Sequence, residues 1–257
     1  MARSVWKGSV SIGLVNIPVT LQNAVRESKV SFNQITPCCG ARVSQALKCK
    51  ACGREVSRAE VKKGWELGEG KFVVLEEAEI EAVRLKTVKS IAVEGFMPAH
   101  LIDPIQMAAS YYVVPVEGGE KAYSLIAEAL NLSALHALAR ITAHGKEHIA
   151  IIRARGRTLI LTTLWYPEEV LAPPEIPQAV LSEKERELAR QLLDGYKIEQ
   201  LDLTQYENRY IGALKELINA KMMGQPIPIP QVEVAPAMDL AQTLMVSIRK
   251  KPVKTEA

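Results

Sequence analysis

Four cysteines are the residues whose type and spacing most clearly suggest chemistry. They fall within fifteen residues of one another, at Cys38, Cys39, Cys49 and Cys52. Two thiolates that are two residues apart and are followed by a glycine are typical of a zinc knuckle, and Cys49-Lys50-Ala51-Cys52-Gly53 has this pattern. Clustering of this kind favours a metal site, or free thiols in a reducing cytoplasm, over the dispersed cysteines of a secreted disulfide scaffold.

The first half of the cysteine segment departs from the knuckle pattern. Its sequence is Thr36-Pro37-Cys38-Cys39-Gly40, so Thr36 stands where the second thiolate belongs. Cys38 is adjacent to Cys39, and neighbouring side chains in an extended chain point to opposite faces. Two interpretations remain open: zinc bound by the four cysteines, or a degenerate ribbon that keeps its shape by packing.

A basic stretch between His136 and Arg157 is the second candidate for chemistry. Glu147 is its one carboxylate. Alternate residues on a strand share a face, so Arg153 and Arg155 could project together with Arg157 as a positive stripe suited to phosphates. The alternative is the solvated outer face of a sheet. The candidate phosphate-binding residues are Lys7, Arg140, Lys146, Arg153, Arg155 and Arg157.

The sequence shows no pattern typical of a catalytic site. Gly118-Gly119 lacks the lysine and the spacing of a phosphate-binding loop, and no Gly-x-Ser-x-Gly elbow occurs. No spacing requires His136, His144 and His148 to share a face as metal ligands. We therefore assign no catalytic residue and expect a binding protein.

Composition supports a soluble globular chain. Of 257 residues, 48% are hydrophobic and 24% are charged, and the net charge of +3 is too small to indicate nucleic-acid binding by itself. No apolar run reaches the roughly 18 residues that span a bilayer, and the N-terminus has no segment typical of a signal peptide. We expect a cytoplasmic, nucleoid-associated protein that does not bind membranes.

The elements that would position these residues change character along the chain. Strands with short turns, and occasional helices, extend to residue 166, which favours a β-barrel or sandwich. A proline-rich stretch from Pro167 to Pro177 follows. Ser182-x-x-Glu185 and Thr204-x-x-Glu207 are capping boxes, and each predicts the start of a helix.

These changes divide the chain into three parts. Residues 1–166 hold the predicted strands, with a cysteine knuckle at about 37–63. Residues 167–225 hold the two capped helices. Residues 226–257 combine a proline spacer, a short amphipathic segment and a basic tail.

The stretch RSVWKGSVSIGLVNIPV, from Arg3 to Val19, closely resembles the opening of bacterial Ku proteins. The resemblance covers about residues 1 to 225. Further fragments match in family order: Cys39-Gly40, Cys49-x-x-Cys52-Gly53, Lys63-Gly64-Trp65-Glu66, Ile102-Asp103-Pro104, Ser110-Tyr111-Tyr112-Val113-Val114-Pro115, Ala139-Arg140-Ile141, Lys146 to Arg153, Leu161-x-Thr163-Leu164-x-Tyr166 and Tyr206-x-Asn208-x-Tyr210.

The resemblance implies a mixed α+β, mainly β fold: a β-barrel core with a bridging arm in residues 1–166 and a helical C-terminal arm for dimerisation in residues 167–225. It implies that two copies form a ring around double-stranded DNA ends, without enzymatic activity, and that the basic residues given above bind this DNA. It also implies that residues 226–257 dock a partner, the multifunctional DNA ligase D. The resemblance implies that the protein requires no cofactor, and zinc remains an optional ligand. Many relatives have histidine in the Thr36 position and a longer lysine-rich tail. The alternatives are a zinc-ribbon nucleic-acid-binding regulator and an enzyme without recognisable motifs.

Overall fold

The computed structural model of the chain describes residues 4–68, 70–83, 89–143 and 145–224. The strands and helices are, in order, β1 (Ser4–Ile12), β2 (Val15–Asn23), β3 (Leu47–Lys48), β4 (Glu55–Val56), β5 (Lys63–Gly68), β6 (Lys71–Leu75), α1 (Glu77–Val83), β7 (Ser90–Pro98), β8 (Met107–Pro115), α2 (Glu120–Ser133), β9 (Leu135–Ala143), β10 (Lys146–Arg155), β11 (Thr158–Leu164), α3 (Glu183–Gly195) and α4 (Arg209–Met222).

Seven of these strands form a closed barrel in the order β1-β2-β8-β11-β10-β9-β7. Six of the seven pairings are antiparallel. The seventh pairing closes the barrel, where β1 and β7 run parallel from Ser9 opposite Ser90 to Ser11 opposite Ala92. The prediction of a mixed α+β, mainly β fold built on a β-barrel is confirmed.

The barrel interior is filled by alternate residues of each strand. On β10, Ala150 and Ile152 face inward and lie in the main core cluster with Ile141 of β9 and Leu161 of β11. Alanines at 137, 139 and 150 leave room for these larger side chains in a narrow barrel. Side chains of opposite parity on β9 and β10 face outward.

Helix α2 closes one end of the barrel. Its buried face, Tyr123, Ala127 and Leu130, belongs to the main core cluster. The Tyr123 hydroxyl donates to the carbonyl oxygen of Val113 and accepts from the amide of Leu159, both at 2.8 Å. Because these partners lie on the neighbouring strands β8 and β11, one phenol fastens the helix to two strands.

A second, smaller cluster covers part of the outer barrel wall. Ile102, from the irregular segment between β7 and β8, packs with Ile151 and Leu164. Asp103 starts the turn in this segment by accepting a hydrogen bond from the amide of Ile105 at 3.0 Å. The segment therefore covers apolar side chains on the outer faces of β10 and β11.

Between β2 and β7 the chain leaves the barrel wall. This excursion holds two small antiparallel pairs, β3 with β4 around the second cysteine pair and β5 with β6. All residues of β5 and β6 are exposed, and they include Trp65 and Phe72. We call residues 24–89 the arm, within which the structure describes 24–68, 70–83 and Lys89.

The chain divides into two compact units, the first ending at Ala172 and the second beginning at Pro173. In the second unit, the capping box predicted at Ser182 is confirmed: the Ser182 hydroxyl accepts from the Glu185 amide, and the Glu185 carboxylate accepts from the Ser182 amide. The prediction that a helix begins at Thr204 is wrong.

The helix in question starts five residues later. Asp202 captures the amide of Thr204 at 2.9 Å and holds a single short turn there. Asn208 then caps α4 by accepting a hydrogen bond from the Ile211 amide. A side chain at 202 therefore competes for the amide that the predicted helix start required.

No helix in the described ranges is long and apolar enough to cross a bilayer. The predicted partner-docking segment, residues 226–257, lies outside the described residues, as does His144.

The contacts of Tyr123 generate a stability prediction. Tyr123→Phe keeps the ring but leaves the Val113 carbonyl and the Leu159 amide without their partner, and both are buried with it. We expect the free energy of unfolding, measured by urea denaturation, to fall by about 1–3 kcal/mol. Tyr112→Phe is the matched control, since Tyr112 is more exposed, and should change it by less than about 0.5 kcal/mol. Equal effects of the two substitutions would contradict this role.

Candidate nucleic-acid interface

The outer face of β10 carries two of the predicted DNA-binding arginines. Arg153 and Arg155 have the same parity as Ile149 and Ile151, which pack on the outside of the barrel. Within the described ranges neither guanidinium forms an ion pair with a carboxylate. Both charges therefore remain available to an anionic ligand on this face.

Two further candidates lie elsewhere on the barrel. Arg157 follows Gly156 in the turn between β10 and β11 rather than on the strand. Lys7 is an exposed residue of β1, where its neighbour Trp6 packs against the core and Lys7 takes the outer side. Neither makes an ion pair in the part of the chain that the structure describes.

Lys146 does not share a face with the arginines. It has the parity of Ala150 and Ile152, which point into the barrel, so its side chain lies at the open mouth together with His148. The six candidates therefore do not form one stripe. Arg153 and Arg155 come together, Arg157 follows them at the strand end, and Lys146 is set apart.

Arg140 is already engaged by two carboxylates. Its Nε lies 2.6 Å from Glu94 Oε1, and its Nη1 lies 3.4 Å from Glu147 Oε2. The charges of Glu94 and, second, of Glu147 raise the pKa of Arg140 above its ordinary value. Sequence reasoning missed this arrangement because Glu94 is on β7, and only the pairing of β7 with β9 brings it to Arg140.

His136 lies near Arg153 and has a lowered pKa. Burial, followed by the positive charge of Arg153, lowers the pKa of His136. Its Nδ1 is buried and has no hydrogen-bond partner among the described residues. The lowered pKa favours the neutral form of the imidazole beside the Arg153 guanidinium.

The two halves of the cysteine segment have the same turn geometry. The amide of Gly40 donates to the Thr36 carbonyl, and the amide of Gly53 donates to the Cys49 carbonyl, each at 2.9 Å. Both glycines are left-handed, with φ of 68° and 70°. Thr36 and Cys49 therefore occupy equivalent positions in two knuckle turns.

Hydrogen bonds lower the pKa of one thiol in each turn. Backbone amides of Cys52 and Ala51 lower the pKa of Cys49. The Thr36 hydroxyl, 3.0 Å from Cys38 Sγ, is the largest cause that lowers the pKa of Cys38, followed by the thiol of Cys39. These contacts favour thiolates, which are the form that binds metals.

The structure does not bring the two cysteine pairs together as one ligand set. Among the described histidine, cysteine, aspartate and glutamate side chains, no group of three or more is placed to hold a metal ion. Zinc binding by Cys38, Cys39, Cys49 and Cys52 stays a prediction.

Comparison with known proteins identifies the barrel. Residues 11–193 match the family model described as the Ku70/Ku80 beta-barrel domain, which is more than half of the chain. The chain belongs to the Ku family. The match extends from β1 through the arm and the closed barrel to α3, so the resemblance noted in the sequence is confirmed.

Three curated Ku relatives are similar over nearly their whole length. A protein of Archaeoglobus fulgidus is 34% identical over 89% of this chain and 92% of its own. A protein of Solibacter usitatus is 34% identical over 98% and 97%, and one of Heliobacterium modesticaldum is 33% identical over 100% and 94%. All three carry the name non-homologous end joining protein Ku.

The outer arginines generate a prediction about salt. The slope of log affinity against log salt is negative and steepens with each phosphate contact. If Arg153 and Arg155 contact phosphates, replacing either by alanine should make this slope shallower by about one unit. The loss should be the same on two duplexes of unrelated sequence, because phosphate contacts carry no base information. Arg153→Lys keeps the charge and is the matched control, with an unchanged slope. If Arg153→Ala leaves the slope unchanged, these arginines are a solvated outer face of the sheet and do not contact phosphate.

The equivalent knuckle turns generate a prediction about zinc. Thr36→Cys places a thiol at the position equivalent to Cys49 and completes a Cys-x-x-Cys pair in the first turn. We expect this variant to retain more zinc per chain after dialysis than the unmodified protein, as measured by elemental analysis. Adding Cys49→Ser or Cys52→Ser should release that zinc. Equal zinc in Thr36→Cys and the unmodified chain would mean that the turns are held by hydrogen bonds and packing alone.

Proposed function

We propose that this chain binds the ends of double-stranded DNA as a homodimeric ring, without reading sequence, and acts in double-strand break repair by non-homologous end joining. The observation that carries the proposal is the Ku barrel itself, matched over residues 11–193 and shared with curated end-joining relatives. The protein serves as a scaffold rather than an enzyme, requires no cofactor, and works in the cytoplasm at the nucleoid.

The charge distribution suits a sequence-independent ligand. The net charge is only +3, yet Arg153 and Arg155 lie on one outer strand face without an ion pair to any described carboxylate. Flexible cations on a sheet surface contact phosphates, which are the same at every base pair. A modest number of such contacts gives salt-dependent binding that does not distinguish sequences.

Exposed apolar surface supports dimerisation. In the arm, Trp65, Leu67 and Phe72 lie on a hairpin whose two strands are exposed throughout. In the second unit, Leu193 on α3 and Tyr210 on α4 are also largely exposed. Apolar surface of this extent is typical of protein–protein interfaces, and a second copy of the chain is the partner that a ring requires.

Bridging of ends and recruitment of ligase D complete the proposal. We assign recruitment to residues 226–257, where a proline-rich spacer precedes an apolar segment and a basic tail. A proline-rich spacer is semi-rigid and holds a following peptide away from the folded core. A peptide with an apolar face and a charged end suits docking into a groove on a partner.

End dependence tests the ring. A closed ring reaches duplex DNA only through a free end, so we expect stable binding to linear duplex and little binding to the same sequence as a covalently closed circle. The measurement is a retention assay at moderate salt, followed by cleavage of the circle at one site, which should restore binding. Equal retention on linear and closed circular DNA would rule out threading, and base preference between unrelated linear duplexes would favour a sequence-reading regulator.

Truncation tests recruitment. A chain ending at Gln225 should dimerise and bind linear duplex nearly as well as the full chain, because the barrel, arm and helices are retained. It should fail to stimulate end joining by ligase D, measured as the rate of product formation from linear duplex. Full stimulation by the truncated chain would mean that the ligase binds the barrel, the arm or the helices. Loss of dimerisation would mean that residues 226–257 are part of the dimer interface.

A further inference from the structure

The end of the barrel opposite α2 holds a cavity of about 810 Å³. Its wall is built where β8 begins and β11 finishes, whereas α2 covers the end where β8 finishes and β11 begins. A volume of this size at the mouth of a barrel is typical of binding sites. The phosphate contacts proposed for Arg153 and Arg155 lie on the outer wall, so they do not use this cavity.

Aromatic rings form much of the cavity wall. Trp6, Tyr111 and Trp165 line it together with several aliphatic side chains. Trp6 is held in place, since its Nε1 donates to the Thr142 carbonyl at 3.2 Å. Trp165 is half exposed at the rim. Rings of this kind bind apolar groups, and their faces also attract cations.

Carboxylates outnumber basic groups around the cavity. Glu147 and Glu169 line it, and Lys146 is the one lysine or arginine among the described lining residues. Arg140 Nη1 lies 3.4 Å from Glu147 Oε2, but Arg140 also pairs with Glu94 and therefore does not neutralise both carboxylates. Lys146 is exposed, and its long stem lets the ammonium group turn into solvent. The lining therefore disfavours an anionic ligand and suits a cationic one.

Tyr166 organises the acidic side of the cavity. Its amide donates to Glu169 Oε2 at 2.8 Å, and its hydroxyl donates to the Glu147 carbonyl oxygen at 3.4 Å. Burial, followed by the negative charge of Glu147, raises the pKa of Tyr166, so the phenol is neutral. A neutral aromatic ring next to carboxylates suits a guanidinium or ammonium group, because both the ring face and the carboxylates attract it.

We propose that this cavity binds a partner protein through an extended peptide that carries an arginine or lysine next to an apolar residue. The basic group pairs with Glu169 beside the Trp165 ring, and the apolar residue packs against Trp6 and Tyr111. Charge complementarity selects this occupant, since the carboxylates repel nucleic acid and acidic peptides. The site is separate from residues 226–257, to which the proposed function assigns the ligase, and it does not depend on DNA binding.

The test selects peptides without assuming their sequence. Short peptides of random sequence, displayed on phage, are selected on the full chain after depletion on Trp165→Ala. We expect the recovered peptides to carry arginine or lysine beside an aliphatic or aromatic residue. Their affinities are measured by fluorescence anisotropy, together with those of matched peptides in which uncharged citrulline replaces arginine or norleucine replaces lysine. No recovered peptide, or recovery of acidic peptides, would overturn the proposal.

Substitutions test the ring and the charge separately. A cation–π contact corresponds to about a 2- to 30-fold change in affinity, so Trp165→Ala should weaken peptide binding by a factor in that range, and Trp165→Phe should retain most of it. Glu169→Gln removes a charge but keeps an oxygen for the Tyr166 amide, and it should weaken binding by about 2- to 5-fold at low salt. Glu128→Gln is the matched control, because Glu128 lies exposed on α2, and it should leave the affinity unchanged.

Lys146 tests the sign of the charge preference. Lys146→Ala removes a positive charge from the lining, so it should tighten binding of a basic peptide. Weaker binding by Lys146→Ala, or equal affinity for a recovered peptide and its uncharged match, would overturn the proposal. Trp165→Ala and Glu169→Gln should bind linear duplex as the unmodified chain does, which shows that the barrel is intact.

Three further outcomes would identify a different occupant and overturn the assignment to a partner. Binding of free argininamide as tightly as a recovered peptide would assign the cavity to a small cation. Tighter peptide binding by a chain ending at Gln225 than by the full chain would mean that residues 226–257 compete for the cavity. A shift from dimer to monomer in Trp165→Ala would assign the cavity to a second copy of the chain.

Discussion

Closure of the sheet into a barrel is the constraint on which the rest of this structure depends. In a closed wall every side chain faces either the packed interior or the outside, and successive residues alternate between the two. On β10 this rule separates Lys146 and His148 from Arg153 and Arg155, although the four are close in sequence. One strand thus serves two surfaces: its outer face presents two arginines that pair with no described carboxylate, and its inner face places Lys146 at the mouth.

The two ends of the barrel are chemically different because only one is filled. At the sealed end, the Tyr123 hydroxyl satisfies a carbonyl and an amide of two strands, and burial raises the pKa of this phenol. At the other end, indole and phenol rings line an open cavity beside Lys146, which makes no ion pair among the described residues. Helix α2 is therefore a structural plug, and chemistry is left to the mouth and the outer wall.

Much of the architecture could be predicted from local patterns, and the failures have local causes. The strands with short turns that the sequence predicted up to residue 166 are observed as the barrel strands, and the Ser182 capping box predicted the start of α3. The start of α4 was wrong because Asp202 captures the Thr204 amide. The ion pair of Arg140 with Glu94 forms because β7 and β9 are neighbouring strands, and local sequence patterns do not predict which strands are neighbours. The separation of Lys146 was visible in its parity, but only once its membership of β10 was known.

The parallel pairing of β1 with β7 also bears on how the chain reaches this fold. The edge of β1 can pair with β7 only after the chain has passed through the arm. Barrel closure is therefore a non-local contact, and contacts of this kind form slowly during folding. The entropy of closing such a loop grows only logarithmically, and doubling its length costs about 0.6 kcal/mol. The arm is thus a region in which evolution or protein engineering can insert or delete residues at little thermodynamic penalty, while the barrel wall tolerates no such change.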